Sequence, residues 1–316
     1  MIARVGRLTL MACMGLIAST QACDCDVDPI AGIDDADAGV PADPIDPENP
    51  PPPPPPPPPP VDAGTEPEPE DPPPADDCDI SSDKIYVIDR DTSDLHLFDP
   101  STNTVSDVGR ISCAGSDSPD SMAVSRSGKA YVRYNDALFE VDLSQPTLPC
   151  VNTGYQNGAF SSFGMGYATD SPTTWHDQLY IANAAEVHAL DTDTWQRTRV
   201  TNLTSAATEL TGNAAGQLWA LALKIERGGS TLTRINQHTG QIVSSVRLTQ
   251  LPDLFEMDTF ALAAWGGDLY AFLALNSGFG GSEVWRITPT GQMTRVVADL
   301  GINVVGAGVS TCAPGG

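Results

Sequence analysis

The chain has 316 residues, 28 of them proline, and a formal net charge of −25 at pH 7. Twenty of the prolines lie between Pro29 and Pro74, and Asp24 to Asp83 holds 18 Asp and Glu with no Lys or Arg. That quarter has too few apolar residues to offset the entropy of ordering, and from Lys84 onward 14 Lys and Arg against 23 Asp and Glu exclude the basic clusters that nucleic acid or anionic lipid requires.

The first 22 residues read as an export signal. Arg4 and Arg7 form a positive start, and Leu8 to Ile17 is an apolar stretch too short to span a bilayer as a mature helix. Ala22-Cys23 resembles a bacterial lipoprotein processing site. The resemblance implies lipidation of Cys23 and a membrane partner through that anchor, with a location in the cell envelope. Thr20 and Gln21 depart from the usual pattern, and plain cleavage after Ala22 would give a secreted or periplasmic soluble protein instead. Residues 23–77 follow as an acidic, proline-rich linker, expected to be disordered. Its run from Pro50 to Pro60 favours polyproline II, and its carboxylates repel one another.

From residue 78 the dominant signal is internal repetition. Five segments share a strand pattern around an aromatic: KIYVID (84–89), KAYVRY (129–134), QLYIAN (178–183), QLWALA (217–222) and DLYAFL (268–273). Each precedes a second alternating strand that a turn former closes: LHLFDPST (95–102), LFEVDLSQ (138–145), VHALDTDT (187–194), LTRINQHT (232–239) and VWRITPTG (284–291). The aromatics Tyr86, Tyr131, Tyr180, Trp219 and Tyr270 recur at intervals of roughly 40–50 residues, the length of a four-stranded propeller blade. Innermost strands rich in small residues are expected at 121–125, 163–167, 210–214 and 260–264. The first repeat lacks one, and the final stretch 304–312 has no blade of its own, so it should complete the first blade. The expected fold is all-β: five four-stranded blades, closed by the C-terminal strand, over residues 78–316.

Units such as PDSMAVSRSGKAYV (119–132) with LFEVDLSQPTLPC (138–150) resemble those of secreted bacterial propellers of the YVTN, NHL and PQQ-like repeat type. The resemblance implies the fold and leaves the activity open. The tryptophans 175, 195, 219, 265 and 285 share no repeated position, which argues against PQQ-type dehydrogenase chemistry. No GxSxG, HExxH or complete EF-hand loop occurs. Ser81 to Lys84 matches SxxK only formally. His96 and His188 hold equivalent positions in two blades, which points to packing.

Two bridges are expected among the cysteines of the folded region, Cys78–Cys312 at the ring closure and Cys113–Cys150 between the first two blades. Asp120, Ser162, Glu209, Asp258 and Asn303 stand directly before the innermost strands, one per blade. They are candidate oxygen ligands for Ca²⁺ at the channel mouth, or else each caps its own turn. Three functions follow. The first is a non-catalytic envelope binding or scaffold module for a protein or glycan. The second is a calcium-dependent lactonase or esterase resembling gluconolactonase and paraoxonase. The third is a subunit of a larger envelope complex.

Overall fold

The computed structural model describes residues 82–316, apart from 114–117, 136, 157, 159, 161, 171–175, 277–279 and 316. The chain divides into two units, Met1–Gly64 and Thr65–Gly316, and the described residues belong to the second. The export segment, Cys23, Cys25, the linker 23–77, Cys78, Ser81 and Trp175 lie outside the described residues.

Five four-stranded antiparallel sheets make a five-bladed β-propeller. Blade 1 contains β1 (Ile85–Asp89), β2 (Asp94–Asp99) and β3 (Thr104–Arg110). Blade 2 contains β4 (Ser121–Val124), β5 (Lys129–Tyr134), β6 (Ala137–Asp142) and β7 (Cys150–Asn152). Blade 3 runs β8 (Gly164–Thr169), β9 (Asp177–Ala182), β10 (Glu186–Leu190) and β11 (Arg197–Asn202). Blade 4 runs β12 (Ala207–Gly212), β13 (Leu218–Leu223), β14 (Thr231–Ile235) and β15 (Ile242–Arg247). Blade 5 runs β16 (Met257–Trp265), β17 (Asp268–Leu275), β18 (Glu283–Ile287) and β19 (Met293–Val297). The last strand, β20 (Val304–Gly308), pairs with β1 and supplies the innermost strand of blade 1. The ring therefore closes as the repeat arithmetic requires.

The repeated aromatic has a specific task. Tyr86, Tyr131, Tyr180, Trp219 and Tyr270 are all buried, and each packs in the core between its own blade and the next. Side chains alternate along a strand, so the neighbours of each aromatic face the preceding blade. Ile85 and Val87 pack toward blade 5 while Tyr86 and Ile88 pack toward blade 2. Five blade-to-blade cores thus replace one central core. The repeated turn residue is equally explained: the side chains of Asp99, Asp142, Asp191 and Asn236 each accept a hydrogen bond from the backbone N–H two residues on.

Small residues in the innermost strands serve neighbouring strands as much as the tunnel. These strands run parallel around the axis, as shown by the match of Gly164 to Thr208 and Glu209, and of Gly166 to Leu210 and Thr211. A Cβ on Gly166 would lie 2.6 Å from the Leu210 carbonyl carbon, closer than any side chain tolerates. Backbone meets backbone there, and only glycine fits.

Cys113 and Cys150 are disulfide-bonded, tying the end of blade 1 to the outer strand of blade 2. Cys312 is disulfide-bonded as well.

Candidate functional site: the mouth of the central tunnel

The innermost strands begin at one end of the tunnel and finish at the other, and the two ends are built differently. At the starting end a cavity of about 220 Å³ opens. Asp120, Ser162, Glu209 and Asp258 all line it, so four of the five residues expected at the mouth come together. Asn303 does not join them. Its side-chain N–H donates to Asp91 at 2.6 Å and its backbone N–H to Asp89, which ties the entry of β20 to the end of β1.

Glu209 differs from its expected place. The innermost strand of blade 4 begins at Ala207, three residues before the apolar stretch that marks it in the sequence, so Glu209 lies within β12, opposite Leu221. It is only 4% exposed. The Ser121 hydroxyl donates to its Oε2 at 3.3 Å. Desolvation outweighs that hydrogen bond and the nearby Arg133, and pushes the carboxyl up to about 8. Gly164 on β8 makes the room, since a Cβ there would meet Glu209 Cδ at 2.7 Å.

The other two carboxylates are paired. Arg133, buried within β5, lies 3.3 Å from Asp120 and donates to the Asn135 carbonyl at 3.0 Å. Asp120 also accepts the Asn135 backbone N–H at 2.6 Å, a bond to the turn between β5 and β6 rather than to its own turn. Asp258 is 2.6 Å from Arg90. Among the described residues no three His, Cys, Asp or Glu side chains gather as a metal site would require. With Asp120 and Asp258 each facing an arginine and Asn303 turned away, the donor set does not fit a hard cation that needs 6–8 oxygens. The phenyl rings of Phe163 and Phe260 complete the wall, with the Arg133 guanidinium 5.2 Å from the Phe163 ring centre.

Arg133 and Arg90 escape a reading of sequence alone. A signal for Arg133 exists in KAYVRY, where a charge interrupts an otherwise apolar strand; Arg90 reads as an ordinary turn residue.

At the finishing end the side chains interlock. Arg126, just after β4, donates through Nε to Asp177 at 3.1 Å and through Nη2 to the hydroxyls of Thr169 and Thr311. Thr311 donates in turn to Asp177 at 2.6 Å. A cavity of about 20 Å³ beside Trp265 and Ser310 has room for one water.

The two histidines fall outside both ends. His96 donates through Nδ1 to Asp107 at 2.8 Å and His188 through Nε2 to Glu186 at 2.5 Å. Each follows a β-bulge in the second strand of its blade, and Trp285 follows one at the matching place in blade 5. They are packing positions, as their equivalence in the repeat suggests.

No protein-family description matches this chain, and no curated protein does. Solved structures do. A hydrazine synthase from Kuenenia stuttgartiensis matches with a TM-score of 0.36 and 15% identity, over 68% of this chain and 65% of that one. A nidogen/laminin complex matches at 0.45 and 13%, over 73% and 82%. An auxiliary nutrient binding protein from Bacteroides thetaiotaomicron matches at 0.40 and 9%, over 68% and 54%. This chain therefore spans less than two thirds of the hydrazine synthase chain. Likenesses this distant carry nothing about activity.

Proposed function

We propose that the protein is a non-catalytic binding module of the cell envelope, exported and anchored through Cys23, which presents its propeller beyond the linker 23–77 and holds a sugar unit of a glycan at the tunnel mouth. The repeat type is that of the secreted YVTN, NHL and PQQ-like propellers it resembles. The observation that carries the reading is the mouth cavity. Its charges are balanced in pairs, Asp120 with Arg133 and Asp258 with Arg90. Ser162, Thr208 and Thr259 line it together with the phenyl rings of Phe163 and Phe260. Fixed polar pairs beside aromatic faces suit a neutral polyol, whose hydroxyls need oriented partners and whose C–H faces need apolar ones.

The test uses the full-length protein on an array of immobilised glycans, beside Ser162→Trp, which fills the mouth. Binding that the variant loses supports the reading; a silent array, or binding the variant retains, ends it. Cys23→Ser tests the anchor, and should release the protein from the membrane fraction without detergent.

One observation favours a second reading. A carboxyl held neutral near pH 7 inside an open cavity is suited to general acid work. A lactonase or esterase reading would place Glu209 in that role. Turnover of lactone or aryl-ester substrates that Glu209→Gln abolishes would replace the binding reading with this one.

A further inference from the structure

A second recess lies on the same face as the mouth, between blades 4 and 5. It encloses about 520 Å³, more than twice the mouth's volume. Phe255 stands on its rim, and at 71% it is the most exposed of the large apolar side chains among the described residues. Such exposure ordinarily belongs to a loose loop, but this phenyl rides on a firmly held 3-10 turn, Leu254–Glu256. The Asp253 side chain accepts the Glu256 N–H and the Glu256 side chain accepts the Asp253 N–H. The Asn276 amide donates to the carbonyls of Phe255 at 2.7 Å and Met257 at 3.1 Å. Leu254 N–H reaches the Lys224 carbonyl, and Arg227 pairs with Glu256. An apolar side chain left in water on a turn fixed by this many bonds is pre-organised for contact.

Trp285 also lines the recess; its Nε1–H donates to Glu283 at 2.9 Å and its ring has Arg295 over it at 5.8 Å. Gln250, Glu256 and Asn276 add amide and carboxylate side chains to the lining. The recess and the mouth are lined by one stretch of chain: Phe255 and Glu256 line the recess, and Asp258, Thr259 and Phe260, a few residues on, line the mouth. Three residues of strand cover roughly 10 Å, about the length of two sugar rings along an extended chain.

We infer that the blade 4–blade 5 recess is a second subsite for the same glycan, so that the ligand is a linear oligosaccharide with one unit in the mouth and the units two or more further along the chain between Phe255 and Trp285. This rests on the glycan reading of the mouth. It adds that affinity depends on chain length and that Phe255 sets that dependence.

The experiment is titration of the full-length protein with cello-, malto- and chito-oligosaccharides of one to six units. In at least one series, affinity should rise about tenfold or more from the single sugar to the longer chains, the factor that 1.4 kcal/mol produces. Phe255→Ala should cancel the rise and leave single-sugar binding unchanged; Gln250→Ala should reduce it. Phe255 is solvent-exposed, so the variant should fold, checked by an unchanged melting curve. Binding that does not depend on length would overturn the second subsite while leaving the mouth reading intact. Equal losses for short and long ligands in Phe255→Ala would also overturn it. Absence of binding in all three series would remove both, as would a peptide ligand that protects Phe255.

Discussion

The two ends of the tunnel are made by the same five strands, yet they handle charge in opposite ways. At the finishing end Arg126 of blade 2 reaches Asp177 and Thr169 of blade 3 and Thr311 beyond β20 of blade 1, so one guanidinium joins three blades. At the starting end, Asp120 and Arg133 belong to one blade, and Asp258 meets Arg90 at the blade 5–blade 1 seam. The first arrangement fills space and fastens the ring. The second leaves a cavity whose polar groups are already oriented, with one carboxyl, Glu209, buried at a cost.

The largest effect should come from breaking the fastened end. Arg126 and Asp177 are 12% and 8% exposed, so removing one partner leaves a desolvated charge. Asp177→Ala should cost about 3–5 kcal/mol in a urea titration. Asp258→Ala, at the open end, loses a half-exposed ion pair and should cost no more than about 1 kcal/mol. Equal costs would mean that the ends are not mechanically distinct.

Next comes the buried carboxyl. The folded state holds a proton on Glu209 up to about pH 8, whereas the unfolded chain releases it near 4.5. Folding is therefore favoured by the full contribution of this group below about 4.5. Stability falls as pH rises toward 8 and levels off above it, by an amount on the order of a few kcal/mol. Other groups titrate too, so the difference between wild type and Glu209→Gln is the informative curve. It should widen in favour of the variant from pH 5 to pH 8. Parallel curves would show that Glu209 is solvated.

The sequence reveals those features that repeat and hides those that pair across the ring. Tyr86, Tyr131, Tyr180, Trp219 and Tyr270 announce the blades because each packs onto the next blade in the same way, and the unpaired stretch 304–312 announces the closure. The mouth residues were found by position relative to the inner strands, and four of five share the cavity. Glu209 misled because a carboxylate reads as a strand boundary; β12 accommodates it only through Gly164 on a neighbouring strand. Arg126 finds Asp177 51 residues away, and Arg90 finds Asp258 168 residues away. No local period encodes such partners.

Gly164 gives the next smaller effect and tests whether the open end is built for Glu209. Gly164→Ala brings a methyl against Glu209 Cδ and the Thr208 carbonyl, which should cost about 1–3 kcal/mol by overpacking. If the carboxyl is the obstacle, Glu209→Ala should recover part of that loss in the double variant. If only the backbone carbonyl matters, the two costs will add.

The smallest effect concerns calcium at the mouth. To bind there, Ca²⁺ would have to draw Asp120 from Arg133 and Asp258 from Arg90, and to ionise Glu209, leaving two arginines facing a dication. Each displaced pair returns a positive charge to the cavity, so the cation's attraction to the carboxylates is met by repulsion from guanidinium groups at similar range. A ligand stabilises a fold only in proportion to its binding to the native state. Millimolar Ca²⁺ or EDTA should therefore move the melting temperature by less than about 1 °C, because stabilisation is slight when concentration stays below the dissociation constant. Thermal scans at graded Ca²⁺ read this directly. A melting temperature that climbs steadily with the logarithm of Ca²⁺ concentration, and stops doing so in Asp120→Ala with Asp258→Ala, would mean that the cation displaces the arginines and that the open end is a metal site.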